Sequence, residues 1–273
     1  MATIDLSLFS LKENIIKMMN LVSNQIERSR HCIEELDTEQ ATEVRKIEKI
    51  VNRMDSTIDA ECESIIALYN PVASDLRFVI SGLQISASLE RIGDHAYTIA
   101  NYVRKETLNS AFDKKLLEAV RFNEVFDLVL SQVSDSIGGF INEDTELSRK
   151  VLRVDIAIEE INKKTAETLE KYIQDNKKQT KNCLILFNIM NNLERISALC
   201  SNISEDTVYY IEAETLKHKK IKFKKNDFKE IVRSVGANAS IEKESKEFEA
   251  TEGDSTDQFQ NASEFTNTPE ELN

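Results

Sequence analysis

The side chains best suited to chemistry form three pairs spaced four residues apart: Glu48 and Asn52, Glu90 and Asp94, and Asp155 and Glu159. Positions i and i+4 of a helix lie on one face, so each pair directs its oxygen atoms to the same side. Two carboxylates at that spacing repel each other unless a cation neutralises them. Oxygen ligands from facing helices suit Mg²⁺, Mn²⁺, Ca²⁺ or iron better than zinc. The pairs therefore predict a site for a hard metal ion, with solvated helix faces as the alternative interpretation.

The residue patterns that catalysis would require do not occur. A di-iron carboxylate enzyme needs Glu-x-x-His from each of two helices, and none of His31, His95 and His218 follows a glutamate by three positions. The sequence has no Gly-rich phosphate loop, no serine nucleophile elbow and no Cys/His pair with catalytic spacing. Widely spaced cysteines predict reduced thiols in helix cores: Cys32, Cys62, Cys183 and Cys200. We therefore expect that the protein is not an enzyme.

Long helices must position these side chains, and the composition favours them. The 273 residues are 41% hydrophobic but include only 6 Gly and 2 Pro, too few for the frequent turns of a sheet protein. An apolar stripe from Leu8 to Ile26 predicts a first helix. Asp37-Thr38 predicts the start of a second helix, and Asn70-Pro71 its end. A third helix is predicted from Ser74 or Asp75 to about Arg104.

A second set of helices follows the first. The spacing predicts a fourth helix from Leu116 to Ile137, ended by Gly138-Gly139. A fifth helix is predicted to run to about Tyr172, and a sixth to span roughly 182–212.

An internal repeat relates the two sets. Leu89-Glu90-Arg91-Ile92 recurs as Leu193-Glu194-Arg195-Ile196 at an offset of 104, and Glu48 and Asn52 correspond to Asp155 and Glu159 at an offset of 107. Self-similarity at a fixed offset indicates two related structural units. The predicted fold is all-α: two tandem three-helix bundles with an internal pseudo-twofold repeat, in residues 1–107 and 108–216.

The net charge of −13 is distributed unevenly along the chain. Lys217–Arg233 carries +6 and residues 240–273 carry −8, which predicts a basic segment at 217–234 and an acidic disordered tail at 235–273. The remaining acidic body predicts no nucleic-acid partner. The alternating Lys220–Lys224 is interpreted either as a contact for anionic lipid or an acidic partner, or as a charged linker.

Nothing in the sequence predicts a membrane span or a leader peptide. No stretch approaches 18 uncharged apolar residues, and Met1–Lys12 lacks a basic start followed by an apolar run. We expect a cytoplasmic, soluble protein.

Two motifs carry a resemblance to a known family. Asn70–Arg77 resembles the Pro-Val-Ala-x-Asp-Leu-Arg junction of the PhoU family, and Leu89–Ala96 resembles its Leu-Glu-Arg-Ile-Gly-Asp-His-Ala hallmark. The resemblance covers residues 5 to about 215. It implies two three-helix bundles and metal ligands at Glu48, Asn52, Glu90 and Asp94 in the first repeat, and at Asp155, Glu159 and Glu194 in the second. Ala198 stands where the second hallmark would need its aspartate, which puts the second metal site in question.

The resemblance also implies a role in phosphate homeostasis. PhoU proteins are expected to act as cytoplasmic adaptors that bind the phosphate ABC transporter ATPase and the phosphate-sensing histidine kinase and negatively regulate both. A homodimer, peripheral membrane association through partners, and bound divalent or iron metal ions are the associated expectations. The alternatives are a regulatory module of a sodium–phosphate cotransporter, and a metal-storing or metal-dependent carboxylate bundle.

Overall fold

A computed structural model describes residues 3–105, 107–108, 110–216 and 225–234. Within these ranges the regular secondary structure is entirely helical, as predicted. The α-helices are α1 Thr3–Glu35, α2 Thr38–Tyr69, α3 Ala73–Arg104, α4 Lys114–Ala119, α5 Phe122–Asn142, α6 Thr145–Lys163, α7 Thr165–Asp175, α8 Thr180–Glu212 and α9 Lys225–Ser234. A short 3₁₀ turn, Lys177–Gln179, precedes α8.

Helices α2 and α3 begin and end close to the predicted residues, whereas α1 extends beyond its predicted stripe at both ends. The Asp37 carboxylate accepts the backbone N–H groups of Glu39 and Gln40, each at 2.9 Å, which caps the start of α2. The helix ends at Asn70, whose φ of 47° is left-handed, and Pro71 follows directly. The predicted ends of α2 therefore depend on cap geometry. Helices α1, α2 and α3 pack pairwise into one bundle.

The predicted fourth helix is instead two helices. Helix α4 ends at Ala119, Arg121 adopts a left-handed φ of 56°, and α5 begins at Phe122. The Arg121 guanidinium bonds the Glu124 carboxylate at 2.6 Å in the first turn of α5. The apolar spacing could not show this break because core residues continue on both sides of it.

The prediction that Gly138-Gly139 ends this helix is wrong. Helix α5 passes through both glycines to Asn142, and the residue that follows, Glu143, is left-handed with a φ of 54°. A Cβ atom on Gly139 would lie 2.5 Å from the Ser148 Oγ of α6. The glycine therefore permits a close approach between α5 and α6 rather than a stop.

The predicted fifth helix is also divided. Helix α6 ends at Lys163 and α7 begins at Thr165, with Lys164 between them. Helices α5, α6 and α8 form the second bundle, and α7 packs on α8.

Equivalent buried glutamines show that the two bundles repeat one design. The Gln25 amide donates to the Val44 carbonyl at 3.4 Å in the first bundle, and the Gln132 amide donates to the Val151 carbonyl at 3.1 Å in the second. Gln132 and Val151 lie 107 residues after Gln25 and Val44, so the two donor–acceptor pairs are equivalent in the repeat. Helices α3 and α8 pack against each other between the bundles, so the predicted two-bundle fold with an internal repeat is confirmed.

Helices α1 to α8 belong to one compact unit, and α9 belongs to a second unit. The predicted domain boundary at residue 107 stays a prediction. The first part of the predicted basic segment, 217–224, and the whole of the predicted acidic tail, 235–273, lie outside the described residues. None of the described helices combines the length and apolar character needed to cross a membrane.

Candidate functional site

The first candidate face is formed by α2 and α3. Helix α2 contributes Glu48 and Asn52, and α3 contributes Glu90 and Asp94. The two glutamates are half-buried, whereas Asn52 and Asp94 are exposed. The Asn52 amide donates to Glu48 Oε1 at 2.6 Å, so this pair forms a bond within its own helix.

The electrostatics of Glu90 show that the carboxylates of this face lie near one another. Burial raises the pKa of Glu90, and the negative charges of Asp94, Asp55 and Glu48 raise it further, while Arg91 opposes them. Like charges disfavour the ionised form of a carboxyl, and a nearby cation favours it. The structure thus brings the predicted residues of two helices into one negatively charged surface, the α2–α3 acidic face.

Asp55 belongs to this face although the sequence reasoning missed it. It lies seven residues after Glu48 and three after Asn52, which places it on the same side of α2. Its Oδ1 accepts the hydroxyl hydrogen of buried Ser86 at 2.7 Å, which ties α2 to α3. The i, i+4, i+7 spacing was the signal that could have found it.

The second candidate face, on α6 and α8, contains Asp155, Glu159 and Glu194. Burial raises the pKa of Asp155, Ser197 lowers it, and the charges of Glu159 and Glu194 raise it. The Ser197 hydroxyl donates to Asp155 Oδ1 at 2.6 Å. Ser197 occupies the position of the hallmark glycine, Gly93, at the offset of 104.

The remaining carboxylates of the second face also have partners in this chain. The Asn162 amide donates to Glu194. The Lys163 ammonium lies 3.2 Å from Glu159 Oε1. Asn162, the equivalent of Asp55 at the offset of 107, was likewise missed. The α6–α8 face is therefore compensated by its own hydroxyl, amide and ammonium groups.

The two faces differ in how well they suit a cation. The oxygen donors of the α2–α3 acidic face have the chemistry of a hard-cation site. Neighbouring carboxylates raise the pKa of Glu90 and Arg91 lowers it, while Glu48 and Asp55 each accept a hydrogen bond within the face. The α6–α8 face already holds its own donors to all three carboxylates. Among the described residues, no three His, Cys, Asp or Glu side chains converge closely enough to hold one metal ion. Metal binding at either face stays a prediction.

His95 of the hallmark lies at the contact between the bundles. Its Nδ1 is 2.9 Å from Oδ1 of Asn192 on α8, and the Asn192 amide donates to the Asn188 carbonyl at 2.7 Å. With its amide hydrogen used in this way, Asn192 presents its oxygen to the ring, so Nδ1 is the donor. His95 therefore links α3 to α8.

The cysteines are free thiols in the core, as predicted: Cys32, Cys62, Cys183 and Cys200. Burial raises the pKa of Cys32 and of Cys62 to about 12, and it raises the pKa of the other two as well. A thiol with so high a pKa is a poor nucleophile at neutral pH.

Comparison with known proteins assigns both bundles to one family. The PhoU domain family matches residues 15–103 and again residues 122–207. This chain belongs to the PhoU family. The first match covers most of α1 and all but the last residue of α3, and the second runs from α5 into α8, so the seven predicted ligand residues all lie within matched segments.

PhoU relatives and PhoU crystal structures resemble the chain over its two bundles. It is 32% identical over 213 residues to the phosphate-specific transport system accessory protein PhoU homolog of Aquifex aeolicus, covering 78% of this chain and 95% of the relative. It is 25% identical over 209 residues to the Escherichia coli protein PhoU, covering 77% of this chain and 85% of the relative. The crystal structure of PhoU from Pseudomonas aeruginosa matches with a TM-score of 0.73 at 26% identity, covering 77% of this chain and 99% of that one.

A second PhoU crystal structure gives the same result. The phosphate transport system regulatory protein PhoU from Streptococcus pneumoniae matches with a TM-score of 0.66 at 26% identity, covering 79% of this chain and 100% of that one. The two-bundle body is therefore a complete PhoU architecture, and the later segment, including α9, lies beyond the family match.

Proposed function

We propose that this chain is an accessory and regulatory protein of phosphate transport that acts by binding other proteins. The observation that carries the proposal is the double PhoU match over both bundles, together with relatives named as phosphate transport accessory proteins. In this role the chain is an adaptor: it binds the phosphate ABC transporter ATPase and the phosphate-sensing histidine kinase, and it lowers phosphate uptake and signalling when phosphate is plentiful.

The structure supports a binding role rather than a catalytic one. Its thiols are buried with raised pKa values, and His95 is used in a bond between α3 and α8. The exposed surface instead offers one acidic face on α2 and α3 and several apolar side chains at helix ends, which are features that partners recognise. We also propose a cytoplasmic location and a homodimer.

Genetic deletion tests the regulatory role. In a strain lacking this chain, a phosphate-regulon reporter should stay active in phosphate-rich medium, and the intact chain supplied on a plasmid should restore repression. Normal repression in the deletion strain would contradict the proposal.

A pull-down tests the partners separately. The tagged chain, purified from phosphate-replete cells, should retain the transporter ATPase and the sensor kinase, and a tagged unrelated helical protein serves as the control. If the deletion strain loses repression but neither partner is retained in the pull-down, the chain regulates phosphate uptake without acting as the proposed adaptor.

A hard cation on the α2–α3 acidic face is a second proposal. It rests on the raised pKa of Glu90, which is caused by burial and by the negative charges of Asp94, Asp55 and Glu48 on the two helices. The cation would be bound by Glu48, Asn52, Glu90 and Asp94, with Asp55 beside them, and would neutralise this face.

A further inference from the structure

An apolar groove lies between α7 and α8 on the second bundle. Its cavity is about 500 Å³, a volume within the range that binding pockets occupy. Ile173 on α7 and Phe187 on α8 are half-buried within it, and Leu184 stands at its edge with 57% of its surface exposed. The α7–α8 groove therefore presents partly buried apolar side chains between two helices.

Lysines cluster beside this groove at the turn into α8, in an otherwise acidic chain. Residues 163–181 hold six lysines against Glu167, Glu170 and Asp175, a net charge of +3, whereas the whole chain carries −13. Lys177 and Glu170 both line the groove and are exposed. Lys178 and Lys181 are also exposed beside the turn into α8. The groove thus combines an apolar floor with a lysine cluster at this turn.

The first bundle lacks this combination at the equivalent place. Residues 56–77, which correspond to 163–181, carry a net charge of −3 from Asp59, Glu61, Glu63, Asp75 and Arg77. The turn there is Asn70-Pro71-Val72 instead of a lysine-containing segment. The lysine cluster is consequently a property of the second bundle, and the repeat alone does not explain it.

We propose that the α7–α8 groove binds an acidic amphipathic helix of a partner protein. A helix places apolar side chains at i, i+3, i+4 and i+7 into such a groove, and acidic residues along its flanks meet the lysines. This rests on the proposed adaptor function, and it gives the chemistry by which one partner is recognised.

Two other occupants fit the groove less well. A flat bilayer reaches protruding apolar side chains, but the apolar atoms of Ile173 and Phe187 are recessed between helices. A second copy could offer its acidic 56–77 hairpin. That contact would be heterologous and would leave a free groove and a free hairpin at the two ends, so it would build open chains rather than a closed dimer. A discrete acidic helix satisfies both the shape and the charge.

Fluorescence anisotropy of a labelled synthetic peptide tests the proposal on the full chain. The probe is an amphipathic helix of about 18 residues, long enough for five turns, with leucines at i, i+3, i+4 and i+7 and glutamates on its flanks. One control peptide replaces the glutamates by lysines, and the other replaces the leucines by serines. The acidic peptide should bind, and its affinity should fall as salt is raised; both controls should bind at least about tenfold more weakly.

Matched variants locate the binding site. Leu184→Glu should weaken peptide binding by about tenfold or more, because it places a charge against the apolar floor. Leu68→Glu, at a leucine that is 71% exposed on α2, should leave binding unchanged. Lys178→Glu with Lys181→Glu should weaken binding and reduce its salt dependence. Thermal unfolding of each variant verifies that the chain remains folded.

Several outcomes would overturn the proposal. These are equal binding of the acidic and basic peptides, equal effects of Leu184→Glu and Leu68→Glu, and binding of phosphatidylserine vesicles but not of the peptide. A change in sedimentation mass caused by Leu184→Glu would assign the groove to a second copy instead. A chain that restores phosphate repression but binds no acidic peptide would end this inference and leave the proposed function intact. A chain that binds the acidic peptide but does not restore repression would contradict the proposed function and leave the groove inference intact.

Discussion

Replacing Glu90 by glutamine should stabilise this protein at neutral pH. Burial and the charges of Asp94, Asp55 and Glu48 raise the Glu90 pKa, so the folded protein holds this proton more tightly than the unfolded chain. The ionised carboxylate therefore costs stability above its folded pKa. The cost disappears as the pH falls below the pKa of the unfolded chain, where both states are protonated.

The size of the effect follows from the neighbours of Glu90. A like-charge pair at i and i+4 costs about 0.2–0.5 kcal/mol on a helix. Glu90 forms one such pair with Asp94 and faces two more carboxylates on α2. Because Glu90 is only half-buried and solvent screens these charges, we expect Glu90→Gln to gain about 0.5 kcal/mol at pH 7. For a body of this size that corresponds to a rise in Tm of about 1–2 °C.

The equivalent substitution in the second bundle, Glu194→Gln, should give no gain. Glu194 accepts a hydrogen bond from Asn162, and a bond to a charged group weakens when the charge is removed. That loss, about 0.5–1.5 kcal/mol, offsets the relief of repulsion between Glu194 and Asp155. The net change should lie between zero and a loss of about 1 kcal/mol.

Urea unfolding followed by circular dichroism measures both variants, first in metal-free buffer at pH 7 and at pH 4. Adding Mg²⁺ or Mn²⁺ at pH 7 then tests the cation proposal. A cation present at 100 times its Kd stabilises the folded chain by about 2.7 kcal/mol. This increment should be lost in Glu90→Gln and retained in Glu194→Gln.

Destabilisation of the metal-free protein by Glu90→Gln at pH 7, or an equal gain in stability in both glutamine variants, would refute the repulsion assigned to Glu90. Identical cation stabilisation in the wild-type chain and in Glu90→Gln would refute the cation site while leaving the electrostatic reasoning intact.

Two further predictions concern packing. Gly138→Ala should change stability by less than about 1 kcal/mol, because the gain in helix propensity is offset by a Cβ that would lie 3.0 Å from Leu147 Cδ2, the end of a flexible side chain. Gly139→Ala should destabilise the chain by about 1–3 kcal/mol, because its Cβ would meet Ser148 and the backbone of the α5–α6 turn. Denaturant unfolding that gives both variants the same loss would contradict the close approach at Gly139. Cys32 and Cys62, with pKa values raised to about 12 by burial, should react with a chromogenic thiol reagent at pH 8 only as fast as the chain unfolds, and a fast phase for either thiol would show that it is accessible.

Local signals predicted the helix ends that depend on local geometry. The Asp37 cap and the left-handed Asn70 before Pro71 act within a few residues, so their residue types were sufficient. The breaks at Arg121 and Lys164 leave the apolar spacing on both sides intact, so periodicity did not reveal them. Gly139 was misread because a helical stop and a close contact between helices both favour glycine, and only the position of α6 distinguishes them.

The sequence predicts which carboxylates share each candidate face, but it does not predict the hydrogen bonds that those carboxylates accept. Repeat and spacing brought Glu90 and Glu194 to equivalent helix faces. They did not show that Ser197 would bond Asp155, or that Asn162 would bond Glu194, because such bonds depend on the packing of α6 against α8. Ala198 predicts a weakened second metal site, and the hydroxyl and amide partners of Asp155 and Glu194 are consistent with that prediction.

The repeat itself explains how the two bundles came to carry opposite surfaces. Core positions are constrained in both halves: Gln25 and Gln132 keep the same buried bond at the offset of 107. Outward positions of the same helices contact solvent and carry no such constraint, so substitutions there cost little stability. One half can therefore keep an acidic face around Glu90, while the other bonds its carboxylates to hydroxyl, amide and ammonium groups and gathers lysines beside Leu184. An adaptor with two chemically different halves can hold two different partners at once, which a symmetric pair of bundles would not specify.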